Sequence, residues 1–521
     1  MCMRYTLLQR VTAIVLAALF LEQTTGCVTW SAVTAPAGAA QVTTDPGAHY
    51  RVTTRTAATI YLDAVHYRND SLLGMPAGVK TTQEVALPLS AVIAVEKQGT
   101  DASGVIVAAV LIGLVALVTG SGGGGGSTSG WSGMKFGSCP LVYSWDGQHW
   151  HLDSGTFGGA ITPALARTDL DNLLFARPTD GLLRFRMTDE ADETEHVDAF
   201  TVVAVDHPAG TNVAPDARAN GTFHVIGTLN APLAARDFMG RDVLSMVRAP
   251  DTRTWESTPD GRDPANPAHL RDGLDLVFAR PTGTNALQLV VDAQNTEWSN
   301  AMMKTMVNAY GRLTATWYDT ATTVAASAPM ARAQHGEGFL QVTVFDGASW
   351  RAAGEIWEAG PEVAKRQVLP IDVSGIAGDS IRVRLESAPS FWRVDYVGLG
   401  RASTAQVIAR DLPNVSASAP RITDGIDRIA VKDGRFLDME RGDTVTIVVR
   451  DTAHAAARGM VRSYLSRTSG WYRIHGEDNA APDIALLTAL AGDAHAPARL
   501  AVMRMNAALE IVRGPGTNAR W

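Results

Sequence analysis

Alternation of apolar and polar residues dominates the chain from Ser138 onward. Leu182-Leu183-Arg184-Phe185-Arg186-Met187 and Ile381-Arg382-Val383-Arg384-Leu385-Glu386 carry the two-residue period of half-buried strands. Phe200 to Val205, Leu287 to Val291, Leu340 to Val344 and Val445 to Val449 are further β-prone runs. Asp146-Gly147, Thr179-Asp180-Gly181 and Asp346-Gly347 supply turns between some of them. Helical periodicity is sparse. Trp298, Met302, Met306 and Tyr310 recur every fourth residue before Gly311, which predicts one amphipathic helix with a glycine stop. His454 to Ser466 and Ile484 to Leu490 are two more helix candidates, and Ala249 to Leu274 reads as a long exposed loop. Strands without regular helical insertions predict a mainly β protein built of antiparallel β-sandwich domains, with a few peripheral helices.

The N-terminal part is patterned differently. Arg4 and Arg10 precede Val11 to Leu21, a run too short to span a bilayer and suited to a signal peptide over residues 1–26. Thr24-Thr25-Gly26-Cys27 follows and resembles a lipobox, with Thr24 where leucine is usual. That resemblance implies acylation of Cys27, with palmitate among the acyl chains, and a membrane-anchored lipoprotein. Cleavage after Ala37-Gly38-Ala39 is the rival reading, but it lies far from the apolar core. Residues 27–47, rich in Thr, Ala and Pro, read as a tether. Residues 48–100, with Tyr50-Arg51-Val52-Thr53 and Thr59-Ile60-Tyr61-Leu62, read as a small β-unit.

Gly104 to Gly120 contains no charge. As a helix it would reach about 26 Å at about 1.5 Å per residue, the low end of a membrane span. One crossing would separate the β-domains from the lipid, so membrane contact is expected and a crossing is left open. Residues 121–134 are a Gly/Ser linker; no Gly-Lys-Ser/Thr follows, which excludes a phosphate loop. The remaining expected domains are 135–230, a β-domain; 231–400, a β-sandwich; and 401–521, an α+β region.

Composition narrows the class. Of three cysteines, Cys2 leaves with the signal and Cys27 carries lipid, so only Cys139 remains and no internal disulfide is expected. The net charge of -8 is interspersed along the chain and gives no footprint for nucleic acid.

Candidate chemistry is thin. His149, His151 and Asp153 alternate on one predicted strand, placing two imidazoles and a carboxylate on one face, as a Zn²⁺ site needs. On that reading Trp150 and Leu152 face the core; the competing reading is a solvated strand face. Asp189, Glu190, Asp192, Glu193, Glu195 and Asp198 offer oxygen ligands for Ca²⁺, or form an acidic loop between strands. Asp206-His207 before Pro208 reads as a turn cap more than a general base. Trp350, Trp357, Phe391, Trp392 and Tyr396 either stack sugar rings or fill a core. Gly130-Trp131-Ser132-Gly133-Met134 fails the nucleophile elbow at its last position, and no catalytic or cofactor motif is present. Tyr143-Ser144-Trp145-Asp146-Gly147-Gln148-His149-Trp150 echoes Val344-Phe345-Asp346-Gly347-Ala348-Ser349-Trp350, both suited to hairpins.

Cys139-Pro140-Leu141-Val142-Tyr143-Ser144-Trp145-Asp146-Gly147, Gly158-Gly159-Ala160-Ile161, Arg167-Thr168-Asp169, Asp192 to Asp198 and Val205-Asp206-His207-Pro208 together resemble a family of uncharacterised bacterial envelope lipoproteins. The resemblance covers most of the chain and carries no established activity. Phe339 to Leu399, closing on Phe391-Trp392-Arg393-Val394-Asp395-Tyr396-Val397, separately resembles a galactose-binding-like β-sandwich. The expected function is a lipid-anchored envelope protein that binds or assembles with a protein or glycan partner, periplasm-facing and without cofactor. The alternatives are a hydrolase of envelope polysaccharide and a structural spacer.

Overall fold

A computed structural model of the chain describes residues 29–32, 41–43, 48–54, 59–68, 71–76, 84–88, 92–99, 139–256, 262–420, 424–451, 456 and 458–513. The expected signal peptide, Cys27, the apolar run 104–120 and the linker 121–134 lie outside these residues. The chain divides into two units, one of residues 1–121 and 507–521, the other of residues 122–506.

In the first unit, β1 (Thr29–Ala32), β2 (Gln41–Thr43), β3 (His49–Thr54), β4 (Thr59–Arg68), β5 (Ser71–Pro76), β6 (Val85–Pro88) and β7 (Val92–Gly99) form one antiparallel sheet in the order β1-β7-β3-β4-β5-β6, with β2 also on β4. Its core is Tyr50, Val52, Leu62, Val65, Tyr67, Leu72 and Val95. The expected tether therefore contributes two strands. Pairing of β1 with β7 and of β2 with β4 satisfies backbone groups that a loose tether would leave to water.

The second unit begins with β8 (Leu141–Trp145), β9 (Trp150–Gly155), β10 (Arg167–Asn172), β11 (Leu182–Thr188) and the sixteen-residue β12 (Glu193–Pro208). The chain then builds a different pair of sheets from β13 (Asn212–Pro215), β14 (Phe223–Asn230), β15 (Ala234–Asp237), β16 (Trp255–Glu256), β17 (Asp272–Ala279), β18 (Ala286–Asn295), β19 (Leu340–Phe345), β20 (Trp350–Ile356), β21 (Lys365–Asp372), β22 (Ser380–Ser387) and β23 (Trp392–Ala402). It returns to the first pair with β24 (Ile408–Leu412), β25 (Asn414–Ser418), β26 (Leu437–Glu440), β27 (Thr444–Arg450) and β28 (Met460–Ile474).

The sheet orders are β10-β28-β12-β24 with β26 on β12, and β25-β27-β11-β8-β9, for the outer sandwich. The inserted strands form β13-β14-β23-β18-β21 with β16 on β23, and β15-β17-β22-β19-β20. All strand pairings are antiparallel among the described residues. The fold is mainly β, as the alternation predicts. The consecutive boundaries at 230 and 400 do not follow the sheets, however. One sandwich is inserted between β12 and β24 of the other, and strands from the expected C-terminal region complete the first.

Packing explains the long strand. Phe200, Val202 and Ala204 join Phe185, Met187, Val445 and Ile447 in the outer core. Val203 and Val205 face the other way, onto Leu170, Val213, Val225 and Leu465. A strand buried on both faces reads as a continuous apolar run. In the inserted sandwich, Leu274, Leu276 and Phe278 of β17 and Ile381, Val383 and Leu385 of β22 are buried.

Helices are peripheral: α1 (Leu244–Val247), α2 (Glu297–Asn308), α3 (Thr314–Thr320), α4 (Val324–Ala333), α5 (Gly425–Ile429), α6 (Ile484–Gly492) and α7 (Ala496–Arg513). Thr296 caps α2 through its hydroxyl, which accepts from the Ser299 N–H, and Trp298, Met302 and Met306 are buried as the spacing predicts. Ile484 to Leu490 lies in α6. His454 to Ser466 does not form the expected helix: its second half belongs to β28, where fifteen residues pair with β12 and tertiary pairing overrides local preference. Ala249 to Leu274 is not exposed throughout, because Trp255 pairs onto β23 and is buried, and buried Arg262 reaches Asp272 at 2.6 Å.

Candidate functional site

The β8–β9 hairpin carries the first candidate set. Asp146 Oδ1 accepts from the Gln148 and His149 N–H groups, closing the turn. These bonds, and His151 beside it, hold the Asp146 carboxyl below the usual carboxylate range. His151 Nε2 lies 2.7 Å from Asp146 Oδ2, and its ring stacks on Phe175 at 4.5 Å. Asp153 sits at a register shift between β8 and β9, is buried, and accepts from the Leu174 and Phe175 N–H groups. His149 is exposed, with its ring 6.4 Å from that of His151. His149, His151 and Asp153 are thus each placed differently. His151 is drawn to Asp146 and the Phe175 ring, and Asp153 is taken up by the Leu174 and Phe175 N–H groups, so their polar atoms serve these partners.

Trp150 and Leu152 do not face the core. Val142, Ser144, Phe185 and Met187 are the buried side of this sheet, and Tyr143, Trp145, Trp150, Leu152, Arg184, Thr444 and Thr446 are half-buried on the opposite side, with Arg186 exposed. Trp145 and Trp150 pack at 5.2 Å with an interplanar angle of 53°, and the Arg186 guanidinium lies 4.3 Å from the Trp150 ring. Tyr143 donates to Glu190 at 2.6 Å.

The same dress recurs on the inserted sandwich. Phe345 and Trp350 pack at 5.4 Å and 58° around the Asp346-Gly347 turn. Asp346 Oδ1 accepts from the Ala348 and Ser349 N–H groups, matching the Asp146 turn. Arg384 lies 4.3 Å from the Trp350 ring and 4.9 Å from Phe238, and Arg382 lies 4.6 Å from Phe345. Of the candidate stacking residues, Trp350 is on this outer face. Trp357 is clamped between Phe339 and Arg167 and donates to Glu355. Phe391, Trp392 and Tyr396 are buried, with Trp392 Nε1 donating to the Gly338 carbonyl. The echo between the hairpins was the sequence signal for the two faces; the arginines contributed by β11 and β22 were not legible from it.

Only part of the acidic run is a loop: Asp189, Glu190 and Asp192 lie between β11 and β12, whereas Glu193, Glu195 and Asp198 belong to β12. Strand β12 starts at Glu193, so Glu193, Glu195 and Val197 point inward while Thr194 and His196 point outward. Asp189, Glu193 and Glu195 converge, with one oxygen of each within 4.8 Å of the others, the set among the described residues that could hold a metal ion. All three are buried. Burial pushes Asp189 up to about 7. Burial and the adjoining Glu193 push Glu195 well above the carboxylate range. Burial thus disfavours the ionised form of these carboxyls, and a bound cation would favour it. Glu190, Asp192 and Asp198 are engaged elsewhere: with Tyr143, with His475 and Lys304, and with the Asp433 and Gly434 N–H groups. Asp206 is clasped by Arg462 and Arg410, and buried His207 contacts Thr211 and Ser463.

A buried ion network joins the sandwiches. Lys365 of β21 reaches Asp169 at 2.6 Å and Asp171 at 2.8 Å, both on β10. Burial alone would raise Asp169, but Lys365 and Arg167 outweigh it and hold that carboxyl down. Burial with the Asp169 charge outweighs Lys365 at Asp171 and pushes it up to about 6. Cys139 lies beneath this region, where a Cβ on Gly155 or Gly360 would come within 3.0 or 3.2 Å of its sulfur. Burial, with Glu362, Glu195 and Glu193 nearby, pushes its thiol up, which suits a packed thiol.

No family model matches the chain, and no curated protein matches it. Among solved structures it is similar to the crystal structure of the GH31 alpha-xylosidase from Xanthomonas citri, at 12% identity over 84% of this chain and 38% of that one, with a TM-score of 0.15. The chain thus spans less than half of that enzyme's length, and at this TM-score the likeness carries no argument. Among the described residues no helix is long and apolar enough to cross a membrane.

Proposed function

We propose that this chain is a lipid-anchored envelope protein that binds glycan through the outward faces of its two sandwiches. The observation that carries the reading is the repeated surface: an aromatic pair around an Asp-Gly turn, with arginine from the neighbouring strand over the tryptophan. Rings offer flat apolar area to the C–H faces of sugars, and Arg and Thr side chains offer donors to hydroxyl or carboxylate groups. The contact of Arg186 with the Trp150 ring is worth only about 0.5–1 kcal/mol, so this arginine can turn to a ligand at little cost, whereas Arg384 is fixed over Trp350 by donating to both oxygens of Asp275. The anchor on Cys27, the periplasm-facing position and the resemblance of residues 339–399 to galactose-binding-like modules fit the same role.

The test is co-sedimentation of the purified full chain with insoluble envelope polysaccharide, comparing wild type with the Trp150→Ala/Trp350→Ala variant. Wild type is expected in the pellet, and the variant is expected to lose at least tenfold in affinity with its unfolding midpoint little changed. Equal retention of both proteins, or no retention of wild type, would refute the reading. Shortening of the polysaccharide during incubation would instead support the hydrolase alternative.

A further inference from the structure

One cluster of nucleophilic and titratable groups lies outside these faces, where β12 and β28 leave their sheet. Glu193 and Ile474 are register partners, so Asp192 and His475 follow directly, and the His475 N–H donates to the Asp192 carbonyl. Thr194 stands opposite Arg473 on one side and Glu440 on the other, with its side chain turned outward. This register brings three groups into line. Thr194 Oγ1 is 2.9 Å from His475 Nε2, and His475 Nδ1 is 3.1 Å from Asp192 Oδ1. Lys304 Nζ lies 3.4 Å from the second Asp192 oxygen. The side chains of His475 and Asp192 are 37% and 52% exposed, so a reactant can reach them.

A hydroxyl, an imidazole and a carboxylate in this sequence form a nucleophile, its base and the group that orients the base. With Nδ1–H donating to Asp192, the neutral imidazole leaves the Nε2 lone pair facing the threonine hydroxyl. Glu440 Oε1 accepts from the same hydroxyl at 3.0 Å, so two acceptors compete for one proton.

We propose that Thr194, His475 and Asp192 form an acyl-transfer centre that hydrolyses small carboxylic esters at this open strand end. Thr194 Oγ1 attacks the ester carbonyl, and its proton passes to His475 Nε2. The tetrahedral adduct collapses, the bond to the leaving alkoxide breaks, and that alkoxide takes the proton from His475. Water then attacks the threonine ester, giving its proton to His475; collapse releases the carboxylic acid and returns the proton to Thr194. Asp192 is a positioning residue that holds the tautomer. The site is independent of glycan binding at the aromatic faces.

The experiment uses p-nitrophenyl acetate with the purified full chain and the variants Thr194→Val, His475→Gln, Asp192→Asn and Thr194→Ser. Loss of kcat/KM by at least about 100-fold is expected for the first two, in line with the loss of a general base or its nucleophile. Asp192→Asn is expected to move the pH at which the rate is half-maximal, and Thr194→Ser to retain activity. Mass spectrometry of the wild type after acid quench is expected to find acetyl on the peptide containing Thr194. Thr194→Val as fast as wild type would overturn the proposal, since that result is what direct attack by the imidazole gives. So would a wild type no faster than His475→Gln, or a Thr194→Ser protein that is folded by circular dichroism yet inactive.

Discussion

Replacing Lys365 with Met tests the ion network between the sandwiches. The methionine keeps the unbranched stem but removes the ammonium from between Asp169 and Asp171, whose side chains are 1% and 6% exposed. Removing one member of a buried pair leaves the other charge uncompensated, at a cost of about 3–5 kcal/mol. Asp169 keeps the Phe157 and Leu170 N–H groups and nearby Arg167, so it stays ionised; Asp171 takes most of the loss. Its carboxyl already titrates at about 6 and rises further without the lysine. A carboxyl whose folded pKa is raised binds protons more tightly in the folded state, so its destabilising effect grows as pH rises from the unfolded pKa to the folded one, is full above it, and is absent below both. Lys365 itself is protonated throughout pH 5–8 in both states and adds no slope there. Urea unfolding followed by tryptophan fluorescence at pH 8 and pH 5 measures both effects. The expected result is a deficit of about 3–5 kcal/mol at pH 8 that shrinks at pH 5. The double variant Lys365→Met/Asp171→Asn should recover about half of it. A deficit below about 1 kcal/mol at pH 8, or one that is the same at both pH values, would show that the network is not the buried charge balance argued here.

Asp189→Asn should stabilise the protein most at pH 8, less at pH 5 and not at all at pH 3, because the penalty of a raised carboxyl builds up between its unfolded value and its folded value of about 7. The gain is on the order of 1 kcal/mol or more, since each pKa unit is worth about 1.4 kcal/mol; calorimetry at the three pH values reads it. Gly273→Ala should destabilise by more than the usual overpacking cost of about 1–3 kcal/mol, read by urea unfolding, because its Cβ would run into the Leu385 carbonyl oxygen of the paired strand. Cys27→Ala should abolish metabolic palmitate labelling, and undiminished label would sink the anchor. A periplasm-active reporter fused after Trp521 should be active; a stable but inactive fusion would place the β-domains across the membrane.

The β class was legible because alternation survives in most strands, as at Leu182 to Met187 and Ile381 to Glu386. The nesting was not, since nothing local to Met460 to Ile474 marks it as the partner of Glu193 to Pro208. The helix expected over His454 to Ser466 failed for that reason. Glu193 and Glu195 misled in the opposite way. Their charge reads as surface, but strand register turns them inward, and the outward positions go to Thr194 and His196. At the hairpin, pairing with β8 puts Trp150 and Leu152 on the side of Trp145 and Tyr143 and His151 on the side of buried Ser144, an alignment that alternation within β9 alone does not reveal.

The insertion also bears on how the chain comes to be folded. Strand β12 receives its main partner, β28, only after residues 209–459 have been made, and those residues include an entire second sandwich. Contacts so remote in sequence form late and carry a large closure cost. Until then β12 offers a long, apolar backbone edge to any neighbouring chain. An emerging polypeptide of this design therefore stays in an open, sticky form for most of its synthesis. Closure of the outer sandwich thus waits on its last strand, whatever the inserted sandwich has already achieved.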